Sequence, residues 1–353
     1  MNKLSILTVS MLLCLCSCAS LEEYENTGTG NFDALWTALD EHYCFFAEKE
    51  VDWNSVYTEY YPKAAACATT DELFDVCSDM LATLKDGHVN LSGTTRTSYY
   101  RAWWTDYPQD FNLRTLQQYY LEFDWRSVGA ISYKKLCDGR VGYIYYSTFN
   151  STPGQGALDG IFTYLADCDV LIMDIRDNGG GLLTSVEPWV GRFIDHEITA
   201  GYIRHKTGPG HDDFSAPYPV TYKPAERGRA MWTKPIALLT NRSCFSAAND
   251  FVSVMKQLPQ VTVIGARTGG GGGLPFSSEL PCGWNVRFSA CPMTDAQGNE
   301  IESGIDPSPG CEVHSPDTEP AQGRDAILDF ALGYMLKDCS ASGIRKTEKL
   351  TEP

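Results

Sequence analysis

An α/β fold, built on a mostly parallel sheet with a small helical module at its N-terminal side, follows from three features of this sequence. Short apolar runs such as Val170-Leu171-Ile172-Met173-Asp174-Ile175 and Pro235-Ile236-Ala237-Leu238-Leu239-Thr240 have the length and texture of strands buried on both faces. Stretches with apolar residues three and four apart lie among them, and strands alternating with helices make βαβ units. From Asn31 to about Lys85 the spacing is helical throughout.

Taken in chain order, residues 1–18 have the make-up of an export signal. Lys3 supplies the positive start, and Leu4 to Cys16 form an apolar stretch too short to span a bilayer. Leu15-Cys16-Ser17-Cys18 resembles the bacterial lipobox, which makes Cys18 the expected first mature residue and the site of lipidation; a plain secretory signal is the alternative. Several acyl chains anchor firmly, because each buried CH₂ contributes roughly 0.8 kcal/mol. The implied location is extracytoplasmic and membrane-anchored, facing the periplasm or the cell surface. Residues 19–30 are polar and Gly-rich, as in a tether.

Residues 31–91 form the helical module. Phe32, Leu35, Trp36 and Leu39 mark one helix, and Leu73, Val76, Cys77, Met80, Leu81 and Leu84 another. Thr69 with Glu72 is a capping box at the start of the second, and Trp53 to Ala66 adds helical turns between them. Residues 92–135 are irregular and aromatic, suited either to packing a linking segment on the core or to lining a groove. The core, 136–336, starts with the strand Val141–Tyr146, then a helix over Ala157–Ala166 and the strand at 170–175. A helix over Leu183–Phe193, the strand at 236–240, a helix through Phe251, Val254, Met255 and Leu258, and the strand Val261–Gly265 follow. The tail, 337–353, is polar and expected to be loose.

A hydrophobic content of 43% in 353 residues supports a large buried core. The net charge of −17, with no Lys/Arg cluster, excludes nucleic acid as a partner and leaves the lipid anchor as the sole membrane contact. Of thirteen cysteines, ten lie beyond the signal. Pairs such as Cys67 with Cys77, or among Cys282, Cys291 and Cys311, are open to disulfide formation, and spacing leaves the connectivity open. No Cys/His spacing typical of zinc is present, so no metal is expected. Oligomeric state is not legible.

Four motifs carry the chemistry. Asn241-Arg242-Ser243-Cys244-Phe245-Ser246-Ala247-Ala248 follows a buried strand and opens a helix, placing the Ser246 hydroxyl where unpaired N–H groups favour developing negative charge. On its own such a serine is ordinarily a helix cap. Asp86-Gly87-His88 is a turn leading from helix into a short strand, where a histidine is ordinarily structural. Asp174-Ile175-Arg176-Asp177-Asn178-Gly179-Gly180-Gly181 is a strand end opening into a glycine turn, which lets N–H groups point into a site. Glu300-Ile301-Glu302-Ser303-Gly304-Ile305-Asp306-Pro307 is the fourth.

In this order the four resemble the tricorn and C-terminal processing peptidase family of serine peptidases, over roughly residues 31–335. The resemblance implies a ββα-type peptidase core and a site that needs no cofactor. In the processing branch of that family a lysine downstream of the serine is the base. The stretch Thr268-Gly269-Gly270-Gly271-Gly272-Gly273 has none, and Lys256 falls inside the expected helix. The tricorn-like branch uses the histidine of Asp-Gly-His, oriented by a downstream glutamate. Carried onto this chain, that makes Ser246 the nucleophile, His88 the general base and Glu302 its orienting partner. The N–H groups of Gly180 and Ala247 are the expected oxyanion hole, and Gly179, Gly181 and Gly270 the expected substrate contacts. Asn249 stands where relatives often have an acid, with Asp250 next to it expected to compensate. Residues 89–139 are too few for a PDZ domain before the core, so none is expected, and peptide or protein substrate would be held by the core groove.

Two other classes compete. A catalytically silent relative would bind peptides on the same scaffold. An esterase would carry Gly-x-Ser-x-Gly, and Cys-Phe-Ser-Ala-Ala lacks it. The Gly269–Gly273 run lacks the Gly-Lys-Ser/Thr ending of a phosphate-binding loop.

Overall fold

The computed structural model describes residues 24–316 and 322–336. The signal with Cys18, the first part of the tether and the 337–353 tail lie outside the described residues. Three helices open the described chain: α1 (Gly28–His42), α2 (Trp53–Ala65) and α3 (Thr70–Ala82). Each starts on a side-chain cap. Thr27 accepts from Gly30 N, Asp52 from Ser55 N, and Thr69 with Glu72 closes the expected capping box in both directions. The cap at Thr27 starts α1 at Gly28, so the tether expected through residue 30 ends earlier.

Two six-stranded sheets carry the rest. The first runs β10-β9-β6-β5-β4-β3, where β5 is Val141–Tyr146, β6 Val170–Asp174, β9 Ile236–Thr240 and β10 Val261–Gly265. These four are parallel, as expected; β3 (Arg126–Val128) and β4 (Ile131–Leu136) add an antiparallel edge. Burial on both faces explains the unbroken apolar texture of β6. Leu171 and Met173 face α4 (Gln155–Leu165) and α5 (Ala247–Lys256). Val170 and Ile172 face α6 (Ala326–Met335).

The second sheet is antiparallel and was not legible from spacing. It runs β2-β1-β12-β7-β8, with β11 also on β12. The strands are β1 (Asn90–Ser92), β2 (Thr97–Tyr99), β7 (Ile198–Ile203), β8 (Tyr218–Tyr222), β11 (Gly273–Glu279) and β12 (Asn285–Asp295). Gly201, Pro219, Pro275 and Pro292 interrupt the alternation that announces a strand. The N-terminal helices are therefore no free-standing module: Phe32, Leu35, Leu73 and Met80 share one core with Trp284, Val286 and Phe288.

The helix expected over 183–193 is only a 3₁₀ turn at Leu183–Ser185 and one α turn at Glu187–Val190. Pro188 has no N–H to donate back, which breaks the ladder between them. Cys67, Cys77, Cys282, Cys291 and Cys311 are free thiols, so the pairs considered among them are not formed.

One buried charge network ties the first sheet to α6. Arg176 is fully buried and donates to both oxygens of Asp174 (Nε–Oδ1 2.9 Å, Nη2–Oδ2 2.6 Å) and both of Asp325 (2.7 and 2.8 Å). Asp325 also caps α6 through Leu328 N, and Tyr143 donates to Asp174 at 2.7 Å. Removing one member leaves an uncompensated buried charge. Asp325→Ala is therefore expected to lose about 3–5 kcal/mol of stability in urea unfolding.

Candidate active site

The loops after β6 and β9 leave the C-terminal ends of adjacent parallel strands, the position where sites on such sheets form. Asn241 locks them together: its Oδ1 accepts from Asp177 N at 3.0 Å, and its Nδ2 donates to Asp177 Oδ1 at 2.8 Å. Phe245 N donates to Asn178 O, and the Cys244 thiol to Ile175 O. The second loop ends at Ser246, whose backbone has φ +57° and ψ −122°. A non-glycine residue there is uncommon and strained.

Ser246 occupies the N-cap position of α5, yet its side chain makes no capping bond. It faces His88 instead, with Oγ 3.0 Å from Nε2. His88 is 2% exposed and sits on the Asp86–Val89 turn before β1, its ring 4.7 Å from that of Phe245. Burial pushes its pKa down to about 4; the Asp86 carboxylate opposes the shift, while Arg287 and Lys49 add to it. The imidazole is thus neutral at neutral pH, as a proton acceptor must be.

Asp86 was read only as half of a turn, and it does more. Its Oδ1 accepts the His88 N–H at 2.7 Å, and its Oδ2 accepts from Tyr43 (3.1 Å) and Ser289 (2.8 Å). This fixes the backbone that carries the imidazole.

Glu302 is buried beside the site, but it does not touch His88. Its Oε1 pairs with Lys49 Nζ at 2.7 Å and its Oε2 accepts from Gly272 N at 2.8 Å. Each oxygen thus has a partner, and His88 Nδ1 has no hydrogen-bond partner among the described residues. The expected orienting contact is therefore corrected to a Lys49–Glu302 pair. Burial and Asp86 push the Glu302 carboxyl up, and Lys49 pulls it back. Burial pulls the Lys49 ammonium down, but Glu302 and Asp86 outweigh it and leave it raised. Lys49 carried no sequence signal.

The glycines divide. Gly180 packs directly under the serine turn: an added Cβ would lie 2.4 Å from Phe245 O and 2.9 Å from Ala247 N. Its N–H, however, donates to Asn178 Oδ1 at 2.9 Å and is not free for an oxyanion. The Ala247 N–H, the other expected donor, has no backbone acceptor among the described residues. Gly179 and Gly181 are exposed on the same loop, Gly181 in a bridge with Phe149. Gly270 is buried and supports the turn. Its carbonyl accepts the Ser246 N–H at 2.8 Å, and an added Cβ would meet Glu302 O at 1.8 Å.

Asn249 proves specific as well. Its Nδ2 donates to Ile301 O at 2.9 Å, beside Glu302, and its Oδ1 accepts from Thr268 at 2.6 Å. A carboxylate could not make the first bond. Asp250 does not compensate for it: it is buried apart from that contact, with burial raising its pKa to about 7.

With this geometry in view, the chain belongs to the S41 peptidase family. The peptidase family S41 model matches residues 140–308, and the tricorn protease C1 domain model matches residues 24–82. A crystal structure from Parabacteroides merdae, of a protein assigned as a peptidase, is 46% identical, with a TM-score of 0.83. The match covers 88% of this chain and 98% of that one. The carboxy-terminal processing protease CtpA of Bacillus subtilis is 26% identical over 203 residues, 57% of this chain but only 41% of its own length. The photosystem II D1 C-terminal processing protease shares the fold, with a TM-score of 0.53 at 16% identity over 82% of this chain and 94% of that one.

The His88 environment gives a pH prediction. In the unfolded chain the residue protonates near its ordinary value of roughly 6.5; folded, it does so near 4. Between these values the unfolded state binds more protons, so stability is full above the upper value and falls as pH drops. The loss from this residue reaches roughly 3 kcal/mol. Urea unfolding from pH 7 to 4 should show that component in wild type and not in His88→Asn.

Proposed function

We propose that this chain is a serine peptidase that hydrolyses peptide bonds through an acyl-enzyme on Ser246, with His88 as general base, and that it is held outside the cytoplasm by lipid on Cys18. The observation that carries the chemistry is the 3.0 Å approach of His88 Nε2 to Ser246 Oγ at a strained helix start. Neutral Nε2 takes the hydroxyl proton as oxygen attacks the scissile carbonyl, then returns it to the leaving amine. Ala247 N–H, at the positive end of α5, receives the oxyanion. Asp86 stabilises the positive charge that develops on the imidazole, and the Lys49–Glu302 pair forms part of the surrounding wall.

Two observations favour the second reading, a silent peptide-binding relative: the Gly180 N–H is engaged by Asn178, and His88 Nδ1 is unpartnered among the described residues. A fluorophosphonate probe separates the two. Wild type should label, Ser246→Ala should not, and His88→Ala should react roughly 10²–10⁴-fold more slowly. Glu302→Gln should still label at near the wild-type rate, because Glu302 makes no bond to His88. Failure of folded wild type to label would favour the silent reading.

The anchor is tested apart from the chemistry. The wild-type chain, expressed in bacteria, should take up a palmitate analogue and partition into detergent. Cys18→Ala should do neither.

A further inference from the structure

A cavity of about 760 Å³ opens beside the dyad, and Gly87 and Phe245 on its wall are the chain neighbours of His88 and Ser246. Each wall carboxylate has a basic neighbour, two of them the same one. Glu302 pairs with Lys49 at 2.7 Å, Asp306 with Arg267 at 3.5 Å, and Asp110 and Glu312 share His314 at 2.7 and 3.6 Å. Two wall cations, Lys85 and Arg242, have no carboxylate within ion-pair distance among the described residues. Lys85 is exposed, and water solvates it.

Arg242 is different. It is half-buried and held rigidly: Nε donates to Trp103 O at 2.6 Å and Nη1 to Thr268 O at 2.9 Å. The guanidinium also lies 4.0 Å over the Tyr107 ring. Nη2 has no acceptor among the described residues, and neutral carbonyls do not cancel a full charge drawn partly out of water. Burial, and then the nearby Arg267, weaken its hold on its proton, although Tyr107 works the other way. A planar, pre-positioned guanidinium with free N–H groups is the side chain best suited to receive a carboxylate. The chain's net charge of −17 repels acids at long range. That field is screened beyond roughly 8 Å at physiological salt, so the local guanidinium decides what enters.

We propose that Arg242 is the carboxylate receptor of this cavity, so that the site beside Ser246 selects substrates that place an acidic side chain or a free C-terminal carboxylate against it. The role as a substrate subsite rests on the peptidase reading above; binding of the carboxylate does not.

The test is therefore a binding measurement on the full chain carrying Ser246→Ala, which needs no turnover. Fluorescein-labelled alanine hexapeptides, with one Glu walked through the sequence, are compared by anisotropy with their Gln counterparts. Free-acid peptides are compared with C-terminal amides. At one register the carboxylate should bind at least about tenfold tighter. Which arm shows the preference identifies its source. Arg242→Gln should abolish the preference and Arg242→Lys should keep part of it. Equal binding of acid and neutral peptides, no binding by any peptide, or a preference that survives Arg242→Gln in a folded protein would each overturn the assignment. A carboxylate preference in a chain whose wild type does not react with the fluorophosphonate would leave this assignment standing and remove only the hydrolase.

Discussion

The site depends on the backbone of Ser246 being held in a conformation the residue does not prefer. A positive φ at a non-glycine residue costs on the order of 1–3 kcal/mol, so it persists only where the surroundings over-determine it. Here the Ser246 N–H is taken by Gly270, its carbonyl by Asp250 N, and the residue before it is pinned to Asn178. Ala247 and Ala248 are fully buried, so larger side chains would have no room behind the turn. Gly180 and Gly270 are glycine because neighbouring backbone stands where a Cβ would go. The reward for this strain is a hydroxyl freed from capping and aimed away from its own helix.

The other half of the dyad comes from a different sheet. His88 precedes the short strand β1, whose partner β12 also carries the N-terminal helices. Residues 158 positions apart therefore meet only when two separately built bodies dock. Asp86 fixes the imidazole within its own body, holding the His88 backbone and reaching Ser289 on β12. Lys49 and Glu302 tie the turn after α1 to the loop after β12, with Gly272 beside them. The antiparallel sheet thus positions His88, as the parallel sheet positions Ser246.

Burial then sets the chemistry. The same exclusion of water that keeps the His88 imidazole neutral raises the Glu302 carboxyl, and each needs a specific partner to limit the cost. Arg176 shows the fully compensated case, with four bonds to two carboxylates. Arg242 shows the opposite, a guanidinium fixed by carbonyls and an aromatic face but left without a counter-charge among the described residues.

The sequence by itself determined what depends on local chemistry and periodicity. The capping box at Thr69, the strands at 141–146 and 236–240, and the serine at a helix start could all be found because period and cap residues are properties of contiguous chain. The four motifs were enough to name the family and to pair Ser246 with His88. Only the tertiary structure decided which groups those residues actually touch. Glu302 turned to Lys49 because the ammonium and the Gly272 N–H satisfy both of its oxygens, and the Gly180 N–H turned to Asn178. The antiparallel sheet stayed hidden because its prolines and glycines erase alternation, while its stability comes from partners far away in the chain. A motif states which groups are available; burial and long-range pairing decide which of their hydrogen-bonding positions remain free.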